Sequence, residues 1–583
     1  MSQDRVAIPR ADRALTRHVL YDRQSLDDLT CWNHTPLDAR TQFAFVFGDK
    51  VVPFHHIMSR LFLGLDSSTQ SLSGIVIDLD SRRVVYEASL NFDKTLPQYK
   101  THNGTLRSGD PLTIHSPPLL WVEALDALFV KMQAAGVALG ELLAIASSGQ
   151  QHGSVYLNRR AAATLKNLNP NRTLKDNLTA CFARETAPIW MDTSTSIECA
   201  EIRRALGGVK PTAQATGSDT FERFTGPQIR KFYKHAPDQY AQTAAIALVS
   251  SFITSILAGQ LAPIDHGDGA GMNLMDIRKR IWHAGALKAT APDLRKKLPP
   301  LTESGHVIGK ISPYFSKKYG VNPAALVLVG SGDNPCSLVG LGLLEEGKIA
   351  ISLGTSYTYF GLMKRCRTDD RGEGHVFGAP TGDYMTLICF KNGSLARERI
   401  RDMYSLDWNS FNRLLETSKP GNGGALMLPW FETEIVPRVN RPGLRRIRLD
   451  DHDIAANCRG IVEAQMLAMR LHSGWMKVTP RKILATGGGS VNQPVLQIMA
   501  DVMNCPVARI EIAKSAALGA ALRAAHGYLK HSGKTAKWKA IVAGFTDPIP
   551  GSELQPNKKA VAVYNKLIQH YAKAEQAALV ATR

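Results

Sequence analysis

The alternation of strand-like and helix-like segments predicts an α/β protein. Three observations carry this reading. LFLGLDSSTQSLSGIVIDLD, from Leu61 to Asp80, is an apolar strand, a polar Asp-Ser-Ser-Thr-Gln tip and a second apolar strand, the pattern of a hairpin. KIAISLGTSYTYF, from Lys348 to Phe360, repeats that design about 290 residues later, with Gly354-Thr355-Ser356 at the tip. Internal similarity at this distance predicts two related domains, each opening on a strand–turn–strand unit. The third observation is RKILATGGGSVNQ, an apolar strand that breaks on Gly487, Gly488 and Gly489 and runs toward the helical pattern PVLQIMADVM.

The remaining elements follow in chain order. LLWVEALDALFVKMQAAG places apolar residues at helical spacing and closes on Gly136. Ala325–Val329 reads as a buried strand, and GSGDNP after it breaks on two glycines and offers Asp333 and Asn334. Gly, Asp and Asn are common turn formers. The glycines also leave room for a ligand beside a carboxylate and an amide, and one loop can serve both ends. Glycine–threonine tips after strands suit phosphate, because backbone N–H groups point outward and hydroxyls add donors. The triple-glycine loop allows a flat ring to approach the backbone. It fits neither GxxxxGK[ST] nor GxGxxG, which excludes a P-loop protein on motif grounds.

Composition narrows the classes. Hydrophobic residues make up 44% of the chain, as in ordinary globular proteins. No apolar run reaches about eighteen residues, so no membrane span is predicted. Eight cysteines lie scattered without a CxxC pair, which argues for a reducing compartment and against a zinc site. The formal net charge of +19 is spread along the chain without a basic stripe interleaved with aromatics. It fits an anionic small-molecule substrate better than nucleic acid. The first twenty residues carry four Arg, but Asp4 and Asp12 interrupt them, unlike a transit peptide. Met58 stands just before the first strong strand, which sets the preceding residues apart as an extension.

Read in order, DSSTQS, GQQHGSVY, PIWMDTST, FERFTGPQI, GSGDNP, ISLGTS and ATGGGSVN resemble the FGGY family of carbohydrate kinases, most closely its eukaryotic xylulose kinase branch. The resemblance runs from about Leu61 to the last helix. It implies two ribonuclease H-like domains of the actin/hexokinase ATPase type around a central cleft. The expected division is an extension over 1–58, a sugar-binding domain over 59–325 and a nucleotide-binding domain over 326–583.

The resemblance also implies roles. Asp333 matches the family's catalytic base, which takes the proton of a sugar hydroxyl as phosphoryl arrives. Asn334, Gln151, His152 and Arg223 match sugar-contacting positions; Asp192 shapes the sugar side of the cleft. Ser68 and Thr69, with Asp66, resemble the first phosphate loop, Asp66 holding Mg²⁺ through water. Gly354 and Thr355 resemble the second phosphate loop, and Gly487, Gly488, Gly489 and Asn492 the adenosine loop, with Trp408 on the ATP side. The implied substrates are a small sugar, D-xylulose, and ATP with Mg²⁺. The lack of a recognisable targeting signal predicts a cytoplasmic protein, organellar targeting by the N-terminal extension being the alternative, and a monomer or homodimer is expected. A kinase for another ketose or polyol, and a non-catalytic nucleotide-binding regulator, are the alternative readings.

Overall fold

The computed structural model describes residues 44–47, 50–53, 60–534 and 537–582. The chain divides into two compact units, Met1–Met58 and Ser59–Arg583. In the first, Ala44–Phe47 and Lys50–Pro53 pair as antiparallel strands; the rest of the predicted extension lies outside the described residues. In the second, two central sheets each carry one half of the architecture.

The first sheet opens on the predicted hairpin, β1 (Leu61–Ser67) and β2 (Ser71–Asp78), followed by β3 (Arg83–Asn91). Helix α1 (Pro118–Ala134) then leads to β4 (Leu142–Gly149). Helices α2 (Thr225–His235) and α3 (Val249–Ala258) precede β5 (Val307–Lys310), β6 (Leu326–Leu328) and β7 (Ser331–Gly332). The strand order is β5-β6-β4-β1-β2-β3, with β7 alongside β4. The meander β1-β2-β3 is antiparallel, while β4 runs parallel to both β1 and β6.

Helix α4 (Asp333–Gly340) links to the second sheet: β8 (Lys348–Leu353), β9 (Tyr357–Met363), β10 (His375–Gly378) and β11 (Tyr384–Phe390). Helices α5 (Ser394–Met403) and α6 (Trp408–Thr417) precede β12 (Lys482–Thr486), α7 (Gln493–Met503), β13 (Val507–Arg509) and α8 (Ser515–His531). The order is β10-β11-β9-β8-β12-β13. Again an antiparallel hairpin, β8-β9, opens the sheet, and parallel strands flank its first member. The duplicated hairpin read from sequence is thus a duplicated sheet plan.

One boundary differs from expectation. The strand expected to open the second domain, Leu326–Leu328, pairs in parallel with β4 and belongs to the first sheet, as does Ser331–Gly332. By sheet membership the division falls between Gly332 and Lys348, not at 325. An apolar strand carries no mark of which sheet it will join; pairing over some 180 residues decides that.

Both faces of the first sheet are covered. One packs on α1, with Trp121, Leu125 and Phe129 fully buried. The other, through Phe62, Ile75, Ile77 and Ala146, packs on the alanine-rich face of α8. That contact is backbone-close: a Cβ on Gly64 would lie 2.1 Å from the Ala517 carbonyl, and one on Gly519 would lie 1.8 Å from the Cys336 carbonyl. Helix α8, from the second half of the sequence, is therefore clamped against β1 and α4 at once.

Candidate active site

The GSGDNP loop delivers Asp333 to the first turn of α4, with Gly332 as the N-cap. Asp333 Oδ1 accepts from the backbone N–H of Asn334 at 2.8 Å and from Asn334 Nδ2 at 3.0 Å. Asn334 Nδ2 also donates to Gln151 Oε1 at 2.9 Å, and Gln151 Nε2 donates to the Gly267 carbonyl at 3.4 Å. Asp333, Asn334 and Gln151 thus form one chain of oriented polar groups. Burial first, and the charge of Asp66 second, push the Asp333 carboxyl up to about 7. Backbone N–H groups of Asn334, Gln151 and Asp333 itself oppose the rise without cancelling it.

His152 sits in the left-handed region at φ 74°, an uncommon conformation for a residue with a side chain. Its Nδ1 lies 2.8 Å from the Gly271 carbonyl, which can only accept, so Nδ1 carries the hydrogen and Nε2 is an acceptor. Burial and then the charge of Arg223 hold the ring neutral, with its pKa lowered to about 3. Arg223 stacks over Phe221 and Phe224, 5.0 and 5.6 Å from their centroids, and donates to His375 Nε2 at 2.9 Å.

These groups meet in a cavity of about 370 Å³. The first half contributes Gln151, His152, Trp190, Arg223, Asp333 and Asn334; strands of the second sheet contribute Thr358, His375, Phe377, Leu387 and Cys389. Gln151, His152, Arg223, Asp333 and Asn334 lie together on this wall. Asp192 does not: its Oδ1 accepts from Ser194 and Gln228, its Oδ2 from the Ile114 N–H. It is buried framework. Sequence reasoning missed two residues here. His375, inside the apolar strand GHVFG, has no local signal. Asp268, between two glycines in HGDGAG, carried a weak one. It is 1% exposed behind the loop, and Ser250 Oγ donates to its Oδ2. Burial raises its pKa well above the carboxylate range.

Asp66 stands at the end of β1, in register with Ser148 of β4. Its Oδ1 is buried and has no hydrogen-bond partner, nor has the hydroxyl of Ser67 or Ser148. Burial pushes its pKa up to about 6. Ser68 and Thr69 face their own surroundings: Ser68 Oγ donates to the Ser71 carbonyl at 2.9 Å, and Thr69 Oγ1 bonds Gln150 Oε1 at 3.3 Å and accepts from Trp190 Nε1 at 2.8 Å. Their hydroxyls hold the hairpin and tie Trp190 down.

A second cavity, of about 600 Å³, opens between the β8–β9 tip and the triple-glycine loop. Gly354, Thr355, Trp408, Gly488, Gly489 and Asn492 line it; Ser68 and Thr69 do not. The glycines divide their work. Nothing lies within 4 Å of a Cβ built on Gly488, so that residue faces open space. Gly487 needs its φ of 83°, and a Cβ on Gly489 would meet Arg397 Nη2 at 2.6 Å. Gly487 is not on the cavity wall. Asn492 caps α7 by accepting from the Val495 N–H at 3.1 Å, and its amide donates to Asn412 at 2.5 Å. Trp408, 37% exposed, is covered by Arg401 at 4.6 Å from its ring. Arg397 on α5 was missed. It is 2% exposed, donates to Ser394 Oγ at 2.9 Å, and leaves its Nε unpartnered.

Residues 61–340 match the N-terminal domain, and residues 349–528 the C-terminal domain, of the FGGY family of carbohydrate kinases. A xylulose kinase of Rattus norvegicus is 40% identical over 535 residues, covering 90% of this chain and 98% of that protein. Xylulose kinase 2 of Arabidopsis thaliana is 41% identical over 490 residues, covering 80% and 87%. The crystal structure of xylulose kinase from Rhodospirillum rubrum superposes with a TM-score of 0.75 at 20% identity, covering 89% of this chain and 99% of that one. The fold is the two-domain actin/hexokinase type, each sheet forming the core of one domain. With relatives at this identity over nearly their full length, the chain belongs to the FGGY family of carbohydrate kinases, enzymes that transfer phosphoryl from ATP to a sugar.

Proposed function

We propose that this protein phosphorylates D-xylulose, with ATP as donor, to give D-xylulose 5-phosphate and ADP. The observation that carries the reading is Asp333, a carboxyl raised to about 7 on the wall of the sugar-side cavity, oriented by Asn334 and Gln151. A general base works best with a pKa near the operating pH. The proton of the C5 hydroxyl passes to the Asp333 carboxylate, the oxygen bonds to the γ-phosphorus, and the bond from that phosphorus to the β–γ bridging oxygen breaks to release ADP. The 40% identical relatives named xylulose kinases support the choice of sugar.

Asn334, Gln151, His152 and Arg223 orient the sugar; His152 offers an acceptor nitrogen and Arg223 offers donors. The ATP side is formed by Gly354, Thr355, Trp408, Gly488, Gly489 and Asn492. Asp66 fits Mg²⁺, because it is a buried carboxylate whose Oδ1 has no hydrogen-bond partner. When bound, that ion supplies charge neutralisation on the phosphates. The same reading places the enzyme in the cytoplasm as a monomer or homodimer.

The test is ADP release with Mg-ATP and a panel of D-xylulose, D-ribulose, L-ribulose, glycerol and gluconate. Selective turnover of D-xylulose is expected. Turnover of another member would move the specificity, and ATP binding without turnover of any sugar would favour a regulator.

A further inference from the structure

The sugar-side cavity holds a cation that no carboxylate neutralises. Arg223 is partly buried, and among the described residues no Asp or Glu forms an ion pair with it. The nearby Asp219 is taken by Arg203 at 2.8 Å and Arg438 at 3.7 Å. Arg223 instead donates one N–H to a neutral nitrogen, His375 Nε2, at 2.9 Å. Guanidinium can only donate, so His375 Nε2 must be the lone-pair nitrogen and Nδ1 must carry the hydrogen. Nδ1 lies 3.3 Å from Ser218 Oγ, which can accept it.

His375 is itself fixed from both halves of the molecule. It is 1% exposed and begins strand β10, which pairs with β11 of the second sheet. The next residue, Val376, donates its N–H to the Gly217 carbonyl of the first half at 3.0 Å. Phe221 meets the imidazole edge-on at 4.7 Å, and Phe377 stacks parallel to it at 6.0 Å. The ring cannot turn without disturbing both.

We propose that His375 is a positioning residue for sugar binding: its Nε2 fixes the Arg223 guanidinium so that the remaining N–H groups address an acceptor oxygen of the sugar. This rests on the kinase reading above. A neutral acceptor does what a carboxylate could not. It holds the guanidinium in place but leaves its charge for the ligand, and hydrogen bonds from a charged donor are about twice as strong as neutral ones. An oxygen that only accepts, such as a ketose carbonyl, matches a group that only donates.

Three variants separate positioning from mere packing. His375→Gln keeps an acceptor near the Nε2 position, His375→Asn places one near Nδ1, and His375→Ala has none. Expected are a sugar KM raised about tenfold or more in the Asn and Ala variants, a value within about threefold of the unmodified protein for Gln, and kcat and the ATP KM nearly unchanged throughout. Sugar KM unmoved in all three, equal damage in Gln and Asn, or loss confined to kcat or the ATP KM would overturn the proposal.

The sugar used is whichever member of the panel the unmodified protein turns over, so failure with D-xylulose alone sinks the function and not the positioning. Should no sugar be turned over, ¹⁵N spectra of histidine-labelled protein decide. A neutral Nδ1–H tautomer at His375, with an Nε2 shift that moves on Arg223→Met, is expected. An Nε2–H tautomer, or no response to that substitution, would refute the pairing.

Discussion

The two cavities of this enzyme are built from different materials. The 370 Å³ sugar-side cavity is a wall of side chains, with a base raised to about 7, a histidine lowered to about 3 and an arginine stacked on two phenylalanines. The 600 Å³ cavity has Gly354, Gly488 and Gly489 in its wall and is edged by exposed Leu395, Trp408 and Val491. The sugar is small and its hydroxyls differ only in direction, so individual oriented side chains must read it. A nucleotide has a flat ring and a phosphate chain, which open backbone and N–H groups suit in any sequence that leaves room. Side-chain chemistry is concentrated where discrimination is needed.

That contrast can be broken most forcefully at Asp333. Asp333→Asn should lower kcat by about 10²–10⁴-fold while the Kd for ATP, read by calorimetry, stays within about twofold. Loss of ATP affinity would mean the cavities are not separable. The converse substitution is Gly489→Val, whose Cβ would meet Arg397 Nη2 at 2.6 Å and the Leu353 carbonyl at 3.0 Å. It should raise the ATP KM about tenfold or more and leave the sugar KM alone.

Acidity sharpens the comparison. Asp333 must be ionised to act, so kcat/KM for the sugar should fall with a midpoint near pH 7, about tenfold per unit below it. ATP affinity should change much less over that range. Stability should respond in the opposite sense. The folded-state pKa of Asp333 lies above its unfolded value, so its contribution is full below about pH 4 and is lost as pH rises through 7. Asp333→Asn should therefore stabilise the protein at pH 8, by up to about 4 kcal/mol, measured by urea unfolding, with the gain vanishing below about pH 4. The smallest effect belongs to the cavity edge: Trp408→Ala removes a surface stacked under Arg401 and should raise the ATP KM only two- to fivefold, or about 0.5–1 kcal/mol.

Much of this was legible in the sequence because loops that hold ligands must use particular residues. Asp333, Gly354 and the Gly487–Gly489 run stand out, since a strand that ends on glycines and a carboxylate is not filling a core. His375 could not be read so. In GHVFG it is one polar residue in an apolar strand, and only the folded chain brings it against Arg223, 152 positions away. Arg397 lies in a charged helix, SLARERIRDM, where nothing distinguishes the one arginine that turns inward. The hydroxyls of Ser68 and Thr69 were legible as donors, but not the partners that engage them. The strand Leu326–Leu328 was found and assigned to the wrong sheet for the same reason, because pairing across a long separation is settled by packing and not by local pattern.

The clamp of α8 against β1 and α4 has a consequence for how the protein comes apart. Helix α8 is late-made chain that roofs first-made strands, and its alanine face packs over Phe62, Ile75 and Ala146. A ribosome that has released the chain only up to Gly340 has made a sheet with one bare side. Neither half is a finished object: a fragment ending before Ser515 exposes that face, and a fragment beginning at Lys348 carries a helix with nothing to cover. The two lobes are distinct in plan but share one wall, so heat should melt them in a single cooperative step, and a protease cut between them should yield two pieces that remain together.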